Sequence, residues 1–359
     1  MMPKFYQLRI QDVKKEAQDS TSVAFDVPND LYETFNYKAG QYLTLRFNIN
    51  REDVRRSYSL CSSPVFEEPL RIGVKRVNGG LVSNHINDNL KVGDLVEVMP
   101  PDGRFYADTK KENYKTYYLF SAGSGITPIL SILKTVLLTE KRSFVHMIYG
   151  NRSHDSIMFS TELEQLQNDY KDRFVLVQTL SRPKSKWSDL WTTSKDNSFR
   201  KGRVDTEAVE WFINEYPPYA QNAEYYICGP GTMIENTKKA LKNIDVPDER
   251  IFIESFGGKD SKDTTEAFEN AKLTAILNGE TIQASIPKGK TILRTLIDAG
   301  KEPPYSCEGG VCSTCMCKLK TGKIHMKNNL ALTDKEVEQG YILSCQSIPL
   351  TETIEVEYK

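Results

Sequence analysis

Tyr305-Ser306-Cys307-Glu308-Gly309-Gly310-Val311-Cys312-Ser313-Thr314-Cys315 spaces three cysteines as C-x4-C-x2-C, and Cys345 follows 29 residues later. Four thiolates can hold two irons, two on each. Three of them come from one loop only if its backbone wraps closely around inorganic sulfide. Gly309 and Gly310 permit that wrap, and small neighbours leave N–H groups free to bond the sulfurs. The spacing is that of a plant-type [2Fe–2S] cluster, with Cys307, Cys312, Cys315 and Cys345 as its ligands. Structural zinc is the competing reading, but zinc usually takes two separated cysteine pairs without a glycine-rich wrap. Cys317 heads a strand-like run and reads as a buried free thiol.

Outward from the cysteines, Lys272–Leu277 and Thr281–Ile286 alternate apolar and polar residues around Asn278-Gly279, a strong hairpin signal. Thr291 to Ala299 reads as a helix and Ile354 to Tyr358 as a closing strand. With the cysteine pattern, residues 271–359 resemble the plant-type ferredoxin fold, an α+β β-grasp domain. The polar stretch before them, residues 258–270, reads as a linker.

A chain of 359 residues is too long for one core. With 39% hydrophobic and 26% charged residues and a net charge of −1, nothing in bulk points to nucleic acid or a membrane. No run of 18 apolar residues occurs, and Met1 to Gln11 lacks the apolar core of a secretory signal, so a cytoplasmic protein is expected. Five of the seven cysteines fall in the last 53 residues, which in such a chain suggests metal rather than disulfides.

Two regions precede the linker. Residues 1–108 hold short β-like runs, such as Gln41–Phe47 and Leu70–Val77, broken by Ala39-Gly40, Gly79-Gly80 and Asp102-Gly103, and predict an antiparallel β-barrel. Residues 109–257 alternate strand-like runs (Thr116–Phe120, Phe144–Tyr149, Phe174–Leu180, Glu224–Cys228) with helical patterns (Ile129–Leu138, Thr161–Asn168), predicting a doubly wound α/β domain. Trp187 to Arg203 has no period and reads as a surface loop.

Arg56-Ser57-Tyr58-Ser59, after the first barrel strands, resembles the flavin motif of the ferredoxin–NADP reductase superfamily. Arginine pairs with pyrophosphate, tyrosine lies against an isoalloxazine ring, and a hydroxyl reaches its N5. The resemblance implies that Arg56 holds phosphate, Tyr58 stacks and Ser59 faces N5, where hydride arrives. It also implies a second flavin segment: Val74, Lys75 and Val77 meet the flavin tail, and Gly80, Val82 and Ser83 cradle the pyrophosphate at a helix start. FAD is favoured over FMN because both segments are present.

Gly123-Ser124-Gly125-Ile126-Thr127-Pro128 sits between a strand and an apolar helix, where glycines let a dinucleotide approach a helix N-terminus. It is the G-x-G-x-x-P form of the same superfamily. By that resemblance Gly123, Gly125, Thr127, Pro128, Asn151 and Arg152 contact the nicotinamide cofactor. Cys228-Gly229-Pro230, with Met233, lies beside the nicotinamide, Cys228 near the hydride path, and Glu254 and Phe256 lie near the flavin. Read alone, Cys228 is a small buried residue at a strand end, and Ile253–Phe256 a terminal strand. Ser181 and Arg182, with Lys184 or Lys186, replace the acidic residue expected of an NADH site and favour the 2′-phosphate of NADPH.

The parts imply one electron path, NADPH to FAD to [2Fe–2S] to an external protein. A flavin accepts a pair and releases it singly, so it stands between nicotinamide and cluster. The cluster is expected near about −400 mV. The resemblance implies a multicomponent oxygenase as acceptor, a di-iron oxygenase first among them; reductases of ring-hydroxylating oxygenases, steroid hydroxylases and hybrid-cluster proteins share the architecture. Two other readings stay open: a flavin reductase with a regulatory metal-binding C-terminal module, and a stand-alone diaphorase.

Overall fold

The computed structural model describes residues 4–183, 199–220, 222–257, 265 and 267–358. It divides into two compact units. The larger consists of Tyr6–Val54 and Tyr58–Phe256; Gly257–Lys359 makes up most of the smaller.

The first six strands are β1 (Tyr6–Ala17), β2 (Ser20–Asp26), β3 (Tyr42–Ile49), β4 (Glu52–Ser59), β5 (Leu70–Lys75) and β6 (Leu95–Val98). They form one antiparallel sheet in the order β4-β3-β6-β1-β2-β5. Just beyond β4, Leu60 bridges Ile72 of β5 and brings the two edges of the sheet together as a barrel. Period-two alternation sends Leu8, Ile10, Val23, Phe25, Leu43, Leu45 and Ile72 into its core. Helix α1 (Leu81–Asn89) follows β5 and seals one end with Val82 and Ile86.

The second layer is a parallel sheet of β7 (Thr116–Ala122), β8 (Phe144–Asn151), β9 (Phe174–Leu180), β10 (Phe199–Lys201), β11 (Ala223–Cys228) and β12 (Ile251–Glu254), in the order β10-β9-β8-β7-β11-β12. Its central strands are covered on both faces, which explains why Tyr117-Tyr118-Leu119-Phe120 is apolar without alternation and fully buried. Helices α2 (Ile126–Thr139), α3 (Ser160–Asp169), α4 (Thr206–Glu215) and α5 (Gly231–Asn243) connect the strands. The strand order reverses at β7, flanked by β8 on one side and β11 on the other; ligands of such sheets bind at the strand ends beside that point.

The expected loop from Trp187 to Arg203 is corrected at its end. Phe199–Lys201 pairs in parallel with β9 as an edge strand, too short and polar for its periodicity to show. The rest of that loop, Lys184, Lys186 and most of the linker lie outside the described residues.

The smaller unit carries β13 (Ala271–Leu277), β14 (Glu280–Ile286), helix α6 (Ile292–Asp298), β15 (Met316–Thr321), β16 (Ile324–Met326), helix α7 (Asp334–Glu338), β17 (Tyr341–Leu343), β18 (Ser347–Pro349) and β19 (Thr353–Glu357). Asn278 and Gly279 take φ of 53° and 82°, the double left-handed turn that Asn-Gly favours between antiparallel strands. The expected closing strand is central: β19 runs parallel to β13 and antiparallel to β15 in the order β14-β13-β19-β15-β17. Ile292 and Leu296 of α6 pack on Leu273, Ala275, Ile354 and Val356, the grasp of a helix by a mixed sheet. No helix of the described residues is long and apolar enough to cross a membrane.

Candidate functional site

In the larger unit, the sequence segments singled out for a nicotinamide cofactor fall at the C-terminal ends of adjacent strands. Ala122 of β7 pairs with Gly150 of β8, and Ser121 with Cys228 of β11. Gly123 (φ 57°) through Gly125 make one turn of 3-10 helix that leads straight into α2, whose N-terminus has no side-chain cap. A Cβ on Gly125 would stand 2.0 Å from the Cys228 carbonyl oxygen, so only glycine lets these two turns close on each other. Helix α5 opens on Pro230, also without a side-chain cap, and Met233 packs under Gly229. Thr127 is buried with its hydroxyl donating to Ser124 O at 3.0 Å, and Pro128 is buried within α2, so both shape the turn from inside.

At the ends of β8 and β9, Ser181 N donates to Asn151 O at 3.0 Å and Arg182 N to Arg152 O at 2.7 Å. These bonds hold the backbones of the two exposed arginines together at one strand edge.

The flavin set lies on β4, β5 and α1. Ser59 is buried near the end of β4; Arg56, Ser57 and Tyr58 precede it, all partly exposed. Val74 is buried and Lys75 partly buried in β5, and Val77 beyond it is 61% exposed. Gly80 is the N-cap of α1 and offers no side chain to its free N–H groups, while the Ser83 hydroxyl accepts from Val77 N at 3.2 Å and fixes the turn. Three residues distant in sequence then meet. Cys228 and Glu254 are partners in the β11–β12 register, and Ser59 Oγ donates to Glu254 Oε2 at 3.1 Å. Burial pushes the Glu254 carboxyl up to about 8, with the Ser59 hydrogen bond pulling it down. Burial, then the Glu254 charge, pushes the fully buried Cys228 thiol well above its ordinary value, so it serves as a neutral side chain and not as a thiolate. Phe256, just past β12, is 41% exposed.

In the smaller unit, the loop after α6 brings Cys307, Cys312 and Cys315 together, and the turn between β17 and β18 adds Cys345. Ser344 N and Oγ both donate to Cys315 O, tying the distant cysteine's segment to the loop. Cys307 and Cys312 sulfurs are 3.1 Å apart, and the Cys315 and Cys345 thiols interact directly. Among the described residues no group of three or more His, Cys, Asp or Glu side chains is arranged to hold a single metal ion. The thiols stand as two pairs, which suits two irons with two thiolates each and not one zinc. Gly309 N–H donates to Cys307 Sγ at 3.4 Å. Cys317 is buried within the core of the sheet, as a free thiol. Two further residues at this loop, Asn328 and Gln346, were not singled out from sequence; the one available signal was that Gln346 directly follows Cys345.

The donor sets therefore fit the groups expected of them: four thiols in two pairs for a [2Fe–2S] cluster, and open helix N-termini beside glycine turns for two dinucleotide pyrophosphates. Comparison with known proteins agrees along the whole chain. Residues 7–106 match the oxidoreductase FAD-binding domain, 119–239 the oxidoreductase NAD-binding domain, and 275–350 the 2Fe-2S iron-sulfur cluster binding domain. The chain is 33% identical to a subunit of the 1,2-phenylacetyl-CoA epoxidase of Escherichia coli (strain K12), over 99% of this chain and 98% of that protein. It is also 33% identical to the ferredoxin reductase component of 3-ketosteroid-9-alpha-monooxygenase of Rhodococcus rhodochrous, over 98% and 96%. The structure of phthalate dioxygenase reductase shares its fold, with a TM-score of 0.65 and 24% identity over 99% of this chain and 98% of that one. The chain belongs to the ferredoxin–NADP reductase-like oxidoreductases that carry FAD-binding, NAD-binding and 2Fe-2S domains in one polypeptide.

Proposed function

We propose that the chain is the reductase component of a multicomponent oxygenase and passes electrons from NADPH through FAD and a [2Fe–2S] cluster to that partner. The observation that supports this most is the pairing of four thiols in the same chain as the Ser59–Glu254–Cys228 corner. Domain boundaries at residues 108/109, 257/258 and 270/271 would separate barrel, nicotinamide domain, linker and cluster domain.

When bound, FAD and the cluster supply the conversion of an electron pair into single electrons. The protein's residues position and tune. The N-termini of α1 and α2 bind phosphate, assisted by Arg56. Tyr58 stacks on the ring, and Ser59 presents its hydroxyl beside it. Glu254 keeps its proton near neutral pH and, through Ser59, can give or take one at the buried end of the site. Cys228 fills the space beside the nicotinamide without charge. Arg182, with Arg152, pairs with the 2′-phosphate of NADPH. Cys307, Cys312, Cys315 and Cys345 hold the last cofactor before the partner.

The similarity to the reductase-sized component of 1,2-phenylacetyl-CoA epoxidase makes a di-iron oxygenase acting on phenylacetyl-CoA the first partner to test. Anaerobic addition of NADPH to the purified protein should bleach flavin and cluster bands together. In Cys312→Ser, NADPH should still reduce the flavin while transfer to the oxygenase collapses. Undiminished transfer in that variant would favour a stand-alone diaphorase, and a protein with zinc and no iron would favour the regulatory module. Arg182→Glu should weaken NADPH about tenfold more than NADH, the size of one charge-assisted contact; equal weakening would remove the 2′-phosphate assignment.

A further inference from the structure

The cysteine loop is held from outside by carboxamides that are distant in sequence. Gln346 Nε2 donates to the Glu308 carbonyl oxygen at 2.8 Å and to Cys345 Sγ at 3.7 Å. A primary amide nitrogen has two N–H bonds, so one serves each acceptor. Asn328 Nδ2 donates to Gly309 O at 2.5 Å, and Leu330 N to Gly310 O at 2.9 Å. Three successive loop carbonyls are thus engaged on the outer side. Their peptide planes leave N–H groups for the sulfurs, as Gly309 N–H on Cys307 Sγ shows. The loop needs this support, because Glu308 is a non-glycine residue with φ of 51°. The fit is close as well: a Cβ on Gly310 would lie 2.6 Å from Asn328 O and 2.9 Å from Gln346 Cγ.

We propose that Gln346 is a positioning residue that raises the reduction potential of the cluster, by one N–H on the Cys345 sulfur and by fixing the Glu308 carbonyl so that the loop amides face inward. Taking up one electron adds one negative charge to the cluster and its thiolates. Every N–H aimed at a sulfur therefore stabilises the reduced form more than the oxidised one. Of the two carboxamides, only Gln346 touches both the loop and a sulfur. Asn328 acts on the loop alone.

The proposal rests on the four cysteines being the [2Fe–2S] ligands, and its test separates the two. Iron, acid-labile sulfide and flavin are measured on the full-length holoprotein, and the cluster's midpoint is found by redox titration followed by electron paramagnetic resonance. A parent protein without iron and sulfide would sink the ligand assignment itself. With the cluster present, Gln346→Leu should shift the reduction equilibrium about tenfold toward the oxidised form, ~59 mV for a one-electron couple. Gln346→Glu, the same size but bearing charge and no donor, should shift it further in the same direction. It also stands in if the leucine variant loads poorly. Asn328→Leu should shift it less, since it removes no donor from sulfur. An unchanged midpoint in either loaded Gln346 variant would overturn the proposal. So would equal shifts from Gln346→Leu and Asn328→Leu, because they would mean simple loosening of the loop.

Discussion

The helices of the two units begin differently. In the larger unit α1, α2 and α5 start at Gly80, Gly125 and Pro230, with no side chain bonded to their first N–H groups. In the smaller unit α6 and α7 start at Thr291 and Thr333, whose hydroxyls accept from Arg294 N and Glu336 N. Each helix start leaves four N–H groups without intrahelical partners. The smaller unit pairs one of them with its own threonine at each helix. The larger unit keeps the groups at its glycine turns free for anions, where the helix dipole adds to the attraction. Helix α4 in the same larger unit is capped by Asp205, which accepts from Ala208 N at 2.9 Å. Openness is therefore local to the segments assigned to cofactors and not a habit of that unit.

The largest test of this contrast is Gly125→Ala. The new methyl would sit 2.0 Å from the Cys228 carbonyl, so the turn and the α2 N-terminus must move apart from β11. A displacement of that order costs about 10²-fold in a reaction that depends on alignment. Flavin reduction by NADPH, followed by stopped-flow absorbance, should fall by at least that factor while the cluster spectrum stays normal. A parental rate would mean that the open turn is not the nicotinamide site.

A smaller effect is expected at Glu254, read from pH. Its folded-state pKa of about 8 lies above the ordinary 4.5. Below the lower value the carboxyl is protonated in both states and contributes nothing. Between the two, the unfolded chain gives up this proton first, so this group's contribution to stability falls as pH rises, and its cost is complete above about pH 8. Glu254→Gln should remove that slope. The variant should match the parent near pH 4 and exceed it in urea midpoint near pH 9. A parallel pH profile for the two proteins would show that the carboxyl is not held protonated.

Legibility in sequence followed range. Asn278-Gly279, the cysteine spacing and the Gly123–Pro128 turn carry their geometry within a few residues, and the structure places them on a hairpin, a loop and a strand–helix junction as their composition demands. Whole-strand burial in β7 was legible because a parallel sheet writes continuous apolar runs. The Ser59–Glu254 bond was not, since its partners lie 195 positions apart and meet only through the packing of barrel on sheet. The Glu140 carboxylate was equally hidden: it is fully buried and accepts from Asn113, Tyr117 and Ser143, yet stands in the sequence as an ordinary glutamate at a helix end. Asn328 and Gln346 look like surface polar residues until the loop they brace is folded. Contacts made by chain closure leave no periodic or spacing signal behind.

The smallest effect belongs to the self-capped ends, and its interest lies in what should not change. Thr333 and Glu336 form a reciprocal box: Thr333 Oγ1 accepts from Glu336 N at 3.3 Å, and Thr333 N donates to Glu336 Oε2 at 2.9 Å. Thr333→Ala removes one half of it and should cost about 1 kcal/mol, the usual worth of such a cap. Thr333→Ser keeps the acceptor and should recover most of that loss. Thermal melts of the holoprotein would measure both. Flavin reduction by NADPH should stay at the parental rate in each, because α7 commits its N–H groups to its own chain. If Thr333→Ala instead slowed that reduction, a capped end would be filling the role assigned to the open ones, and the division between the two kinds of helix start would fail.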